Sequence, residues 1–147
     1  MSLKNKLMED FKTSMKNRDT IRKNTITMVR SSIKQKEVDE KIEVSDEEVL
    51  DIISKQVKER KNSIEEFKKG NREDLVELTR KEMDVLLEYL PEQLTEEEIE
   101  EIVKDIIEEV KANSMKDMGL VMQNVMPKVK GRADGSLVNK IVKKHLN

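Results

Sequence analysis

"EYLPEQLTEEEIEEIV", residues 88–103, is the stretch that decides the fold. Pro91 ends the helix before it, because its ring disfavours helical geometry in the preceding residue. Thr95 and Glu98 then have the spacing of a capping box. The hydroxyl accepts from a free N–H of the first turn, and the carboxylate reaches back to the cap. From there Ile99, Ile102, Val103, Ile106, Ile107 and Val110 lie on one helical face, and the opposite face is almost all acidic. A stop, a linker over 91–94 and a capped restart divide the chain into an N-terminal helical domain, 1–91, and a C-terminal domain, 92–147.

Toward the N-terminus the pattern stays helical. Leu3, Leu7, Phe11 and Met15 recur every fourth residue. Asp19 and Thr20 open a second helix, whose apolar face holds Ile21, Met28, Val29 and Ile33, with Thr25 and Ser32 between them. Residues 38–44 read as a connection. Ser45 and Glu48 form another capping box. The helix they start buries Val49, Ile52, Ile53, Val57, Ile64 and Phe67 and meets Gly70 as its C′ stop. Asn71 caps a fourth helix carrying Leu75, Leu78, Leu86, Leu87 and Leu90. Toward the C-terminus, Asn113 closes the helix that Thr95 opened and Ser114 opens the next. That one buries Met118, Val121, Met122 and Val125 and is expected to stop near Pro127. After "GRADG", residues 131–135, a last helix buries Leu137, Val138, Ile141, Val142 and Leu146. No stretch alternates with period two. The expected fold is all-α, a four-helix N-terminal part plus a three-helix C-terminal tail domain.

Composition narrows the function. Charged residues make up 41% of the 147 and aromatics 2%, while 35% are hydrophobic and regularly spaced, which argues for long solvated helices rather than disorder. Only Phe11, Phe67 and Tyr89 are aromatic, so recognition by base stacking has few residues to use. With no cysteine there is no disulfide, thiolate metal site or thiol nucleophile. The missing cysteines and the lack of an 18-residue apolar run or signal-peptide pattern lead to an expectation of a cytoplasmic protein without a membrane partner. The methionines fall at core spacing and read as filler.

The overall charge of −2 conceals three blocks. Residues 1–36 carry 10 Lys/Arg against 3 Asp/Glu, residues 37–111 carry 12 against 26, and residues 112–147 carry 7 against 2. Either the basic ends neutralise the acidic middle, or one or both face an anionic partner.

No catalytic residue emerges. The single histidine, His145, sits on an apolar helical face near the chain end, and the carboxylates fall on polar faces. No Walker motif, dinucleotide fingerprint, zinc pattern or calcium loop occurs, so no metal and no small-molecule cofactor is expected. The C-terminal segment offers a binding surface instead. Lys140, Lys143 and Lys144 share one side of the last helix. Lys128, Lys130 and Arg132 precede it. Gly131 and Gly135 lack a Cβ, so a ligand backbone can approach them, and Asp134 is placed to cap the helix. These residues make either a solvated helix after a glycine turn or an anion-binding edge.

Taken with "KDMGLVMQNVMPKVKGRADGSLVNKIVKK", residues 116–144, the opening stretch resembles the GatB/YqeY family, and the whole chain is similar to its free-standing YqeY-like members. Residues 92–147 also resemble the tail of the B subunit of the glutamine-dependent tRNA amidotransferase, a segment also appended to some bacterial glutaminyl-tRNA synthetases. The resemblance implies tRNA contact, made by Lys128, Lys130, Gly131, Arg132, Ala133, Asp134 and Gly135 with Lys140 and Lys143 following. The amidotransferase's catalytic cradle has no counterpart in this chain, so the implied role is a tRNA-binding accessory protein. The alternative is an interaction module docking on an amidotransferase, a synthetase or another partner through a helix face, for which Leu120 is the marker.

Overall fold

The computed structural model describes residues 2–146. Among them are seven α-helices and no strand, so the protein is all-α. The chain divides between Leu90 and Pro91 into two compact units.

The first unit holds α1 (Leu3–Lys16), α2 (Thr20–Glu40), α3 (Asp46–Lys69) and α4 (Glu73–Leu87). Its core gathers Leu7, Ile26, Val29, Ile33, Val44, Val49, Ile53, Val57, Val85, Leu86 and Tyr89. The caps act as their chemistry dictates. Asp19 accepts from the N–H of Arg22, and Ser45 and Glu48 form the reciprocal box.

Several apolar positions differ from the expected faces. Met15 and Met28 are each 52% exposed, while Ser14, Thr25 and Ile26 are buried. A strict four-residue repeat advances faster than the 3.6-residue turn, so by Met15 the stripe has rotated off the core and Ser14 has turned in. Its hydroxyl donates to the carbonyl of Phe11 at 2.8 Å, which satisfies it there. The 38–44 connection is shorter than expected, because α2 runs to Glu40 and the left-handed turn falls on Lys41. At the end of α3 the residue with positive φ is Asn71, at 57°, and Gly70 is the preceding cap at −86°. The N–H of Arg72 bonds the carbonyl of Phe67 and that of Asn71 bonds Lys68. Together these bonds form a Schellman closure with Asn71 as C′. Arg72, not Asn71, is therefore the N-cap of α4.

The second unit holds α5 (Glu96–Val110), a 3-10 turn (Met115–Asp117), α6 (Met118–Val129) and α7 (Gly135–Leu146). Ile99, Val103, Ile106, Val121, Val125, Val129, Val138, Ile141, Val142 and Leu146 form its core. Thr95 and Glu98 form the expected capping box of α5. Pro127 does not stop α6, which continues to Val129. In the last turn a proline forfeits one backbone bond, its own to Gln123. The fully buried Val129 and the bond from the N–H of Lys130 to the carbonyl of Met126, at 2.9 Å, hold the turn closed beyond it.

Candidate nucleic-acid interface

The segment joining α6 to α7 is laced to the linker residues 92–94. Gly131 adopts φ +76°, a left-handed conformation natural for a residue without a Cβ. The N–H of Arg132 then donates to the carbonyl of Val129 at 2.8 Å. From the linker, Gln93 Nε2 donates to the Gly131 carbonyl at 2.9 Å, and the Leu94 N–H donates to the Arg132 carbonyl at 2.8 Å. Arg132 Nε returns a bond to the Glu92 carbonyl at 3.3 Å. These contacts hold the glycine turn to a defined shape and leave Arg132 half-buried.

The candidate cations occupy different settings. Lys128 is exposed in the last turn of α6, and Lys130 is exposed just past its end. Lys140 and Lys143 are exposed on α7, which packs against α6. Along α7 they lie about 7.5 and 12 Å from Gly135 at 1.5 Å per residue. Lys144 is drawn elsewhere: its Nζ lies 3.1 Å from Glu100 Oε1 on α5. His145 Nε2 lies 3.4 Å from the same oxygen. Lys144 first, and then His145, hold the Glu100 carboxyl below the usual carboxylate range. His145 is thus a partner for α5, and among the described residues no group of three or more His, Cys, Asp or Glu is placed to hold a metal.

The two carboxylates within residues 112–146 are both occupied by the backbone, Asp117 ahead of α6 and Asp134 at the turn. Asp117 accepts from the N–H of Asn113 at 3.0 Å, and Asp134 Oδ1 accepts from the N–H of Ser136 at 3.0 Å. Asp134 therefore caps α7 as its position implies, and it takes up an amide an anion would otherwise use. Gly135, the first residue of α7, has nothing within 4 Å of where a Cβ would stand.

Gln93, the backbone of Leu94 and the Glu92 carbonyl belong to the architecture of this segment. Their partners lie about 40 positions away in sequence, and no local pattern announces such a pairing.

Two helical units, the second with a basic α6–α7 end, define a small all-α protein. A profile of the family described as Yqey-like protein matches residues 4–146, and the chain belongs to that family. Among its relatives is the altered inheritance of mitochondria protein 41, mitochondrial, of Kluyveromyces lactis. It is 46% identical over 84 residues, which are 56% of this chain and 45% of that one. The protein of the same name from Lachancea thermotolerans is 45% identical over 85 residues, 57% of this chain and 46% of its own length. That of Pyrenophora tritici-repentis is 35% identical over 137 residues, 92% of this chain and 76% of that one. The chain spans about half the length of the first two relatives.

These relatives overturn the cytoplasmic expectation, since their names place them in mitochondria. The criteria behind that expectation do not discriminate: a mitochondrial targeting segment is amphipathic and basic rather than an apolar run. Among the described residues no helix is long and apolar enough to cross a membrane.

Proposed function

We propose that the protein is a tRNA-binding accessory protein, with Lys128, Lys130, Lys140 and Lys143 facing backbone phosphates. The carrying observation is the imbalance of charge from residue 111 onward: 8 Lys/Arg against 2 Asp/Glu, with both acids engaged by backbone N–H groups. A segment with such an excess of cations favours a polyanion. Arg132, Gly131 and Gly135 shape the turn, and Lys144 is held back by Glu100. Recognition here is of phosphates, which position without reading sequence, so any discrimination between tRNAs comes from shape. Chemistry on the tRNA is the work of a separate enzyme, an aminoacyl-tRNA synthetase or an amidotransferase.

Filter binding of bulk tRNA over a salt series tests this reading. With ~4 phosphate contacts, log K falls against log salt with a slope of roughly −3 to −4. A slope near zero, or no binding at low salt, contradicts it. The docking alternative draws on Leu120, 45% exposed on α6, a single apolar side chain where a docking face needs a patch.

A further inference from the structure

A second surface lies in the first unit, far from the basic tail in sequence. A groove of about 480 Å³ runs between α1 and α2. Its floor is apolar, formed by Leu7, Met8, Phe11 and Ile33. Met8 is 42% exposed although its neighbour Leu7 is fully buried. The rim is cationic, with Lys4, Arg30 and Lys34. The one carboxylate in the lining, Glu37, is already engaged: it pairs with Lys4 at 2.8 Å and accepts from the N–H of Val44 at 2.9 Å. The groove also sits in the most basic block of the chain, residues 1–36.

We propose that this groove docks an acidic amphipathic helix of a partner protein, with its apolar anchor on Met8 and its carboxylates on Arg30 and Lys34. An excess of cations around an apolar floor selects a partner that carries apolar anchors flanked by negative charge. A nucleic acid is a poorer fit. Phosphates gain nothing from an apolar floor, and the ring of Phe11 is already covered by the Arg30 guanidinium, 5.0 Å from its centroid. The α2 side of the lining runs from Thr27 to Glu37, a length of about 15 Å that accepts roughly three turns of helix. Anchors at i, i+4 and i+7 would cover about 10 Å of it.

The probe is a fluorescein-labelled 14-residue helical peptide with Leu at i, i+4 and i+7 and Glu on the flanks, titrated into the full chain by anisotropy. Saturable binding with a Kd of about 50 μM or tighter is expected. Met8→Glu and Lys34→Glu each weaken it ten-fold or more with helicity retained by circular dichroism. Met15→Glu, exposed on α1 but outside the groove, leaves it unchanged. The proposal is overturned if the peptide does not bind, or if a version with Lys in place of Glu binds as well. It is equally overturned if Met8→Glu has no effect, or if polyglutamate or tRNA displaces the peptide at equal charge concentration, which would make the face a general polyanion surface.

Discussion

The backbone N–H of Leu94 donates to the carbonyl of Arg132 at 2.8 Å across 38 positions of sequence. The bond joins the linker to the basic turn, so the shape of the proposed phosphate-binding edge depends on residues that precede α5. Gly131, at φ +76°, is the pivot. Gly131→Ala should lower stability by about 1 kcal/mol through backbone strain. Thermal melting checks it, and an unchanged midpoint would show that the turn relaxes freely.

The capping box of α5 links stability to pH. The Thr95 backbone N–H, ahead of its hydroxyl, holds the Glu98 carboxyl below its ordinary value of 4.5. A depressed carboxylate contributes stability that is fully present above the unfolded value and is lost as pH falls through the lower folded value. Stability should therefore decline on acidification below about pH 4.5. Thr95→Ala should cost about 1 kcal/mol at neutral pH yet keep most of that decline, since the backbone N–H remains, whereas Glu98→Gln should flatten it. Urea titrations at pH 7 and pH 3 measure both effects.

What could be read from the sequence follows the range of the interactions. Ser45 with Glu48, Thr95 with Glu98, and the break at Pro91 act within one turn, and the patterns that encode them are local. Met15 and Met28 read as inward-facing because apolar side chains at near-helical spacing resemble a stripe, and only packing shows that Ser14 and Ile26 take those places. In the candidate site, the exposure of Lys128, Lys140 and Lys143 follows from their place opposite the apolar stripes. The tethering of Arg132 to Glu92 and of Lys144 to Glu100 depends on how α5, α6 and α7 come together, which no spacing within a helix contains.

Arg60 is buried on α3, with Nε 3.4 Å from Glu82 Oε1 on α4. The pair is close but not aligned as a hydrogen bond, since that Nε has no hydrogen-bond partner. The guanidinium also donates to the Gln56 carbonyl at 3.3 Å. Removing the carboxylate leaves a buried cation poorly compensated. Glu82→Ala should cost about 2 kcal/mol, discounted for the partial exposure of Glu82. Arg60→Met should cost less, because it removes the charge along with its partner's role. Chemical denaturation of both variants gives the order, and a larger loss for Arg60→Met would contradict it.

Lys144 provides a control within the basic tail. Because its ammonium is held by Glu100 at 3.1 Å, Lys144→Ala should change tRNA affinity less than two-fold, whereas Lys143→Ala should weaken it several-fold. Side-by-side filter binding tests the difference. Equal losses would mean that the Glu100 pair opens on binding.

The most direct test of the central claim is tRNA binding by a triple variant, Lys128→Glu, Lys140→Glu and Lys143→Glu, measured across a salt series. All three positions are exposed and none is a cap, so helicity should be retained. The account predicts that binding is nearly abolished at ~0.1 M salt. Whatever binding remains at lower salt should have a slope reduced by about one for each lysine replaced. A matched variant on α3, Lys55→Glu with Lys58→Glu, should bind like the parent. If the triple variant binds as tightly as the parent, or the α3 variant loses as much, the α6–α7 end is not the tRNA-binding edge.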